Sequence, residues 1–139
     1  MIILDTNVLS EVMRGAPDAR VVAWLDRQPF ESIWITTMTV FEAREGLALL
    51  PDSHRRQSLE LSFVLLLRDD LENRVLNFDA DAAVAAATVA ANRRLAGRSI
   101  DVRDTAIAGI AVSRRATLAT RNVRHFDDLD IPVVNPWVA

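Results

Sequence analysis

The sequence predicts an α/β protein: a three-layer α/β/α sandwich with a central, mainly parallel sheet. Two observations carry this. The strand-like runs are three or four residues long and apolar almost throughout, as in Ile2-Ile3-Leu4 and Ile33-Trp34-Ile35-Thr36. Such runs belong to strands covered on both faces. They also alternate with stretches of helical periodicity, the arrangement that places helices on both sides of a parallel sheet.

Taken in order, residues 2–4 form the first strand. Residues 7–13 begin a helix that Gly15-Ala16-Pro17-Asp18 breaks. Residues 18–28 are helical, with Val21, Val22 and Leu25 assigned to one face. Residues 33–36 are the second strand. A helix over 39–50 ends near Pro51, and a leucine-rich helix covers 53–69. Arg74-Val75-Leu76 is a short strand. The alanine-rich run 79–96, closed by Gly97, is a long helix, followed by another over 102–115. Thr117-Leu118-Ala119 is a strand and Pro132-Val133-Val134 a last one. No repeat, low-complexity tract or linker interrupts the 139 residues, so residues 1–139 are expected to form one domain.

Composition removes several classes of function. No apolar run approaches about 18 residues, so no membrane span is expected. The chain opens without a basic segment leading into an apolar one, so no secretory signal is expected. There is no cysteine, which excludes disulfides, thiolate metal sites and cysteine nucleophiles and suits a cytoplasmic location. The net charge of −3 argues against nonspecific attraction to nucleic acid. All 16 basic residues are arginine, several in pairs (Arg55-Arg56, Arg93-Arg94, Arg114-Arg115), and arginine forks suit phosphate and carboxylate. The same pairs also fit solvated helix faces. The lack of lysine counts against a P-loop, a receiver domain and a haloacid-dehalogenase-type phosphatase, whose D-x-D is in any case broken by Asn7. No G-x-S-x-G elbow occurs.

The remaining chemistry lies in carboxylates at element boundaries. Asp5 ends the first strand, where parallel sheets hold their ligands. Glu42 follows the second strand in Thr39-Val40-Phe41-Glu42, and Asp104 opens a helix in Asp101-Val102-Arg103-Asp104. Each has a structural explanation. Thr39 with Glu42 matches a capping box, Asp101 suits an N-cap, Asp104 suits the helix dipole, and Asp5 suits a cap of the 7–13 helix. Yet Asp104 heads an apolar stripe of Ile107, Ala108 and Ala111, and Asp5 ends a buried strand. A carboxylate there is costly unless something satisfies it. Three acids meeting at the sheet's carboxyl edge would raise one another's pKa, and a hard divalent cation reverses that cost. Oxygen ligands point to Mg2+ or Mn2+ rather than zinc.

Four blocks carry a family resemblance: MIILDTNVLSE at the start, TTMTVFEAREGL at 36–47, DVRDTAIAGIA at 101–111 and LATRNVRHF at 118–126. In order and spacing they resemble the signature blocks of the PIN domain, and the chain is similar throughout to the VapC-type toxins, in particular their FitB-like branch. The C-terminal Asn135-Pro136-Trp137 resembles that branch too. The resemblance implies a Mg2+- or Mn2+-dependent endoribonuclease that stops translation by cutting tRNA or ribosomal RNA. The family's acids fall on Asp5, Glu42 and Asp104; Thr6 and Asn7 hold the first turn, and Thr120 and Asn122 line the site. Asp5 and Asp104 coordinate the ion, and Glu42 ligates it or orients the attacking water. The implied partner is a VapB- or FitA-like antitoxin, through which assemblies bind operator DNA; toxin homodimers are usual. One departure stands out. Many members carry a fourth acid after the last strand of the site, and here Asn122 and His125 occupy the matching positions, with Asp127 and Asp128 as possible substitutes. Arg44, Arg103 and Arg121, nearest the blocks, are the candidate phosphate contacts. A catalytically weak binding module and a single-strand DNA nuclease are the alternatives, and Leu59–Leu67 is assigned to core in preference to a dimer face.

Overall fold

A computed structural model describes residues 1–139. Five strands, β1 (Ile2–Leu4), β2 (Ile33–Thr36), β3 (Val75–Leu76), β4 (Thr117–Ala119) and β5 (Val133–Val134), form one sheet in the order β3-β2-β1-β4-β5. Every pairing is parallel, with Ile2 opposite both Ile33 and Thr117 and Leu118 opposite Val133. The α/β/α sandwich is therefore present, and its sheet is entirely parallel.

Six helices cover the two faces: α1 (Thr6–Val12), α2 (Ala19–Asp26), α3 (Thr37–Ala48), α4 (His54–Leu65), α5 (Ala80–Leu95) and α6 (Val102–Ser113). The alternation of strand side chains divides the core in two. Leu4, Ile33 and Ile35 face α1–α4 with Val8, Val21, Trp24 and Phe63. Ile3 and Leu118 face α5 and α6 with Ile107, Ile110 and Phe126. Strands this short bury so much because they are covered on both sides.

Three helical expectations need correction. On α2 the buried face is Val21 and Trp24, while Val22 is exposed. Val22 lies one residue, about 100°, round the helix from Val21, so the two cannot share a narrow stripe. The cap of α3 is Thr36, whose Oγ1 accepts from the Thr39 N–H at 3.2 Å; Thr39 is inside the first turn and forms no capping box. The helix expected over 53–69 ends at Leu65 and widens into a π-helical turn, Leu66–Asp70, where the Leu71 N–H reaches the Leu66 carbonyl at 2.9 Å. That extra residue brings both Leu66 and Leu67 against the core. The Leu59–Leu67 stretch is divided: Phe63 is fully buried, whereas Leu61, Val64 and Leu65 are exposed. No helix is long and apolar enough to cross a membrane.

Candidate active site

The strand order sets the site. Chain connections leave β1 toward β2 on one side, and return to β4 on the other, so the carboxyl ends of β1 and β4 flank the switch point of the sheet. A crevice opens there in parallel α/β folds. Asp5 leaves β1 at this point, its N–H still bonded to the Ala119 carbonyl at 2.9 Å, and Thr120 leaves β4 beside it.

Asp5 is 5% exposed. Its Oδ1 accepts from the Thr6 N–H at 2.8 Å, capping α1 as the sequence suggested. Its Oδ2 accepts from Thr120 Oγ1 at 2.8 Å and from Asn7 Nδ2 at 3.3 Å. Asn7 also accepts the Arg121 N–H on Oδ1 at 3.2 Å, tying the turn after β1 to the loop after β4. No arginine or histidine pairs with Asp5. Burial raises the Asp5 pKa above the ordinary range, hydrogen bonds from Thr120 and Thr6 oppose the rise, and the charges of Asp104 and Glu42 add to it.

Glu42 lies on α3 and is held through hydroxyls. Thr6 Oγ1 donates to Glu42 Oε1 at 2.8 Å. A hydroxyl has one proton, so Thr39 Oγ1, 3.1 Å away, is the donor to Thr6. Thr36 Oγ1 in turn donates to Thr39 Oγ1 at 3.5 Å. Thr36 and Thr39 are both fully buried, and no buried side-chain polar atom in the protein lacks a partner. This polar chain is not evident in the sequence, where T-T-M-T reads as helix start; three threonines at the end of a buried strand were the available signal.

Asp104 sits in the first turn of α6, whose N-cap is Asp101 as expected; its own N–H donates to Asp101 Oδ1 at 3.0 Å. Ile107, Ala108 and Ala111 below it are fully buried, but the Asp104 side chain keeps 26% of its surface exposed. Its Oδ2 lies 3.1 Å from His125 Nδ1. Asp104 and Glu42 thus lie near enough for their charges to act on Asp5, while each of the three acids leans on a different neighbour. As the side chains stand, no three carboxylates or imidazoles gather tightly enough to share one ion. The donor chemistry still fits a hard divalent cation: oxygen atoms only, with a buried carboxylate that has no cationic partner.

The other expected residues divide. Thr6, Asn7 and Thr120 belong to the hydrogen-bond network. Asn122 contributes its backbone N–H, bonded to Thr120 Oγ1 at 3.0 Å, while its side chain makes no hydrogen bond. Neither Asp127 nor Asp128 supplies a fourth acid. Arg93 Nε and Nη2 bind Asp128 at 2.8 and 3.0 Å, and Arg98 Nη1 binds Asp127 at 3.1 Å. Arg93 is 4% exposed; it continues the buried Ala82, Ala86, Val89 stripe of α5, a spacing visible in the sequence. Of the candidate phosphate contacts, Arg103 is paired with Glu45 at 3.2 Å. Arg44 lies over the Phe63 ring at 5.2 Å and Arg121 over Trp137 at 4.9 Å, neither with a carboxylate partner. An apolar hollow of about 420 Å³ lined by Leu4, Leu9, Leu25 and Leu66 contains none of the three acids.

The parallel sheet and its acid-lined switch point define the class, and comparison with known proteins agrees. The chain belongs to the PIN-domain family, whose model matches residues 2–132. Within it the chain is of the VapC/FitB type. It is 41% identical to the plasmid stability protein StbB of Pseudomonas syringae pv. tomato, covering 100% of both chains. It is 37% identical to the VapC ribonuclease Y4jK of Sinorhizobium fredii, covering 99% of this chain and 98% of that one. Identity to Toxin FitB of Neisseria gonorrhoeae is 36%, with 99% of each covered. The structure of FitAB bound to an IR36 DNA fragment superposes with a TM-score of 0.90 at 36% identity, covering 99% of this chain and 96% of that one.

Proposed function

We propose that the chain is the toxin of a toxin–antitoxin pair, a Mg2+- or Mn2+-dependent endoribonuclease that stops translation by hydrolysing phosphodiester bonds in tRNA or ribosomal RNA. The observation that carries this is Asp5: a buried carboxylate at the switch point, raised in pKa, flanked by Glu42 and Asp104 and paired with no cation. The relatives named a VapC ribonuclease and Toxin FitB support the reading. The FitAB complex with DNA supports a VapB- or FitA-like antitoxin as partner, with operator DNA reached through it. Homodimerisation and a cytoplasmic location belong to the same proposal.

Asp5, Asp104 and Glu42 would hold the ion, which supplies Lewis-acid activation of water and charge neutralisation at phosphorus. The chain's own residues do the rest. Asn7 and Thr120 fix the rotamer of Asp5. The threonine chain fixes one oxygen of Glu42 and leaves Oε2 without a hydrogen bond, free to ligate or to orient water. The expected products carry a 5′-phosphate and a 3′-hydroxyl.

The test is cleavage of end-labelled tRNA by antitoxin-free protein in Mg2+, Mn2+ or EDTA, with ribosomal RNA and single-stranded DNA in parallel. Discrete metal-dependent cuts are expected. Asp5→Asn should reduce them by more than about 100-fold, since losing even a residue that orients a ligand costs 10–100-fold. A 2′,3′-cyclic phosphate product overturns the mechanism. Preferential cutting of single-stranded DNA assigns the site to DNA instead.

A second reading has its own observation. Asn122 and His125 stand where acids are expected, His125 engages Asp104, and Asp127 and Asp128 are tied to arginines. A folded, metal-loaded chain that cuts no nucleic acid is a binding module acting through its antitoxin and DNA.

A further inference from the structure

We infer that a polar trough on the Asp104 side of the crevice is the seat of an RNA phosphate next to the bond being cut, with Arg124 as its main contact. The inference rests on the nuclease reading and names where its substrate lies.

A hollow of about 340 Å³ adjoins Asp104 and has no apolar residue in its lining; Arg93, Arg98, Ser99, Arg124 and His125 complete its walls with a second carboxylate, Asp101, whose Oδ1 is taken up by the Asp104 N–H. A second hollow of about 340 Å³ continues past Asn122 to Arg121 and Asn135, and Arg124 and His125 belong to both. Together they form a trough that starts at Asp104 and leads past Asn122, with neither Asp5 nor Glu42 in its walls.

The charges within this trough are not equivalent. Arg93 and Arg98 are neutralised by Asp128 and Asp127. Arg124 is exposed and makes no ion pair, although its neighbours do. The neutralised arginines instead hold the backbone of the Val123–His125 turn. Arg93 Nη2 donates to the His125 carbonyl at 2.7 Å and Arg98 Nη2 to the Arg124 carbonyl at 3.1 Å. Phe126, fully buried, anchors the turn from behind. Gly97, at φ 71°, ends α5 and turns the chain so that Arg98 reaches this loop. An unpaired guanidinium on a backbone held from three sides is preorganised for an anion.

The lining selects the occupant. Protein segments dock through apolar anchors, and Val123 is the single apolar residue along this trough. A nucleic-acid backbone needs only cations and hydrogen-bond donors. A strand whose phosphate is at Asp5 and Asp104 places its neighbour along the same edge. None of the earlier candidates, Arg44, Arg103 or Arg121, stands beside Asp104 in this hollow.

The test measures binding, not cleavage. Antitoxin-free Asp5→Asn protein is titrated with a labelled single-stranded RNA by fluorescence anisotropy over a range of salt. In that background Arg124→Ala should weaken binding about 3-fold and reduce the slope of log K against log salt by about 0.7, the value for one lost phosphate contact on a single strand. Arg124→Lys should retain most of the slope. Arg115→Ala, an exposed arginine beyond the far end of α6, should change neither. If the parent binds RNA and Arg124→Ala has the same affinity and slope, the trough is not a phosphate seat, and the nuclease reading is unaffected. If Arg124→Ala weakens antitoxin binding but not RNA binding, the trough belongs to the protein partner and the inference is overturned. If the parent binds no RNA and the wild-type chain cuts none, the nuclease reading fails and takes the trough with it.

Discussion

Asp5 serves structure and chemistry with different atoms. One oxygen caps α1, and the other faces Thr120 and Asn7 at the switch point. A cation bound there removes repulsion from Glu42 and Asp104, so metal should stabilise the fold. At Mg2+ or Mn2+ about 100-fold above Kd the gain is about 2.7 kcal/mol. Calorimetry should show Tm rising with metal in the wild type, and Asp5→Asn should abolish most of the rise; an equal rise in both would place the ion elsewhere. Asp128 tests the opposite kind of carboxylate. Hydrogen bonding from Arg93 holds its pKa below the ordinary value. A depressed acid contributes stability that is full above its unfolded pKa, near 3.9, and lost as pH falls through the folded one. Asp128→Asn should therefore cost about 1.5–3 kcal/mol at neutral pH. That difference should shrink below about pH 4, as read from urea midpoints. The candidate acids stood out in the sequence because Asp5 and Asp104 mark element boundaries and Glu42 follows the second strand closely. Their partners were not: His125 meets Asp104 across 21 residues and Arg93 meets Asp128 across 35, and nothing local encodes either pairing.

Helices α5 and α6 pack directly against one another, and their seam depends on small residues. A Cβ on Gly109 would lie 2.5 Å from the Ala82 carbonyl oxygen and 2.6 Å from Ala86 Cβ. Gly109→Ala should push the helices apart and cost about 1–3 kcal/mol. Gly46, exposed within α3, has nothing within 4 Å of the same position. Gly46→Ala should stabilise the protein by about 0.5–1 kcal/mol through backbone entropy. Chemical denaturation of the two variants should thus give opposite signs. The separation shows what periodicity conveys. Both glycines sit in readable helices, but only the packing of α5 distinguishes them. The π-helical turn is similar: leucines fill 65–67, and only the shape of the core below decides that the helix must widen there.

At the scale of the molecule, the sheet separates two cores. Ile35 belongs to the side covered by α1–α4 and Ile107 to the side covered by α5 and α6. Ile35→Val and Ile107→Val should each cost about 0.5–1.5 kcal/mol. With the sheet between them, the double variant should equal the sum within about 0.5 kcal/mol. A larger departure in equilibrium unfolding would mean that strain passes through the sheet. The same architecture brings the acids toward one edge of the sheet. They are 37 and 62 residues apart in the chain, 5 to 42 and 42 to 104, yet Asp5 ends β1, Glu42 lies in the second turn of the helix after β2, and Asp104 in the first turn of α6, where the charges of the latter two act on Asp5.

The sequence by itself determined the class of fold, the positions of the strands and the family, and it put forward the three acids as candidates. These follow from local patterns: apolar runs too short to be anything but covered strands, helical spacing between them, and carboxylates at a strand end and in the opening turns of helices. Tertiary structure alone decided that β1 and β4 are neighbours with the switch point between them. It also decided that a line of threonine hydroxyls supports Glu42, that Asp127 and Asp128 are bound to arginines, and that Arg124 stands free beside Asp104. The physical reason is that strand order, ion pairing and the loss of a partner's charge are set by which distant segments share a surface, and no local periodicity records them.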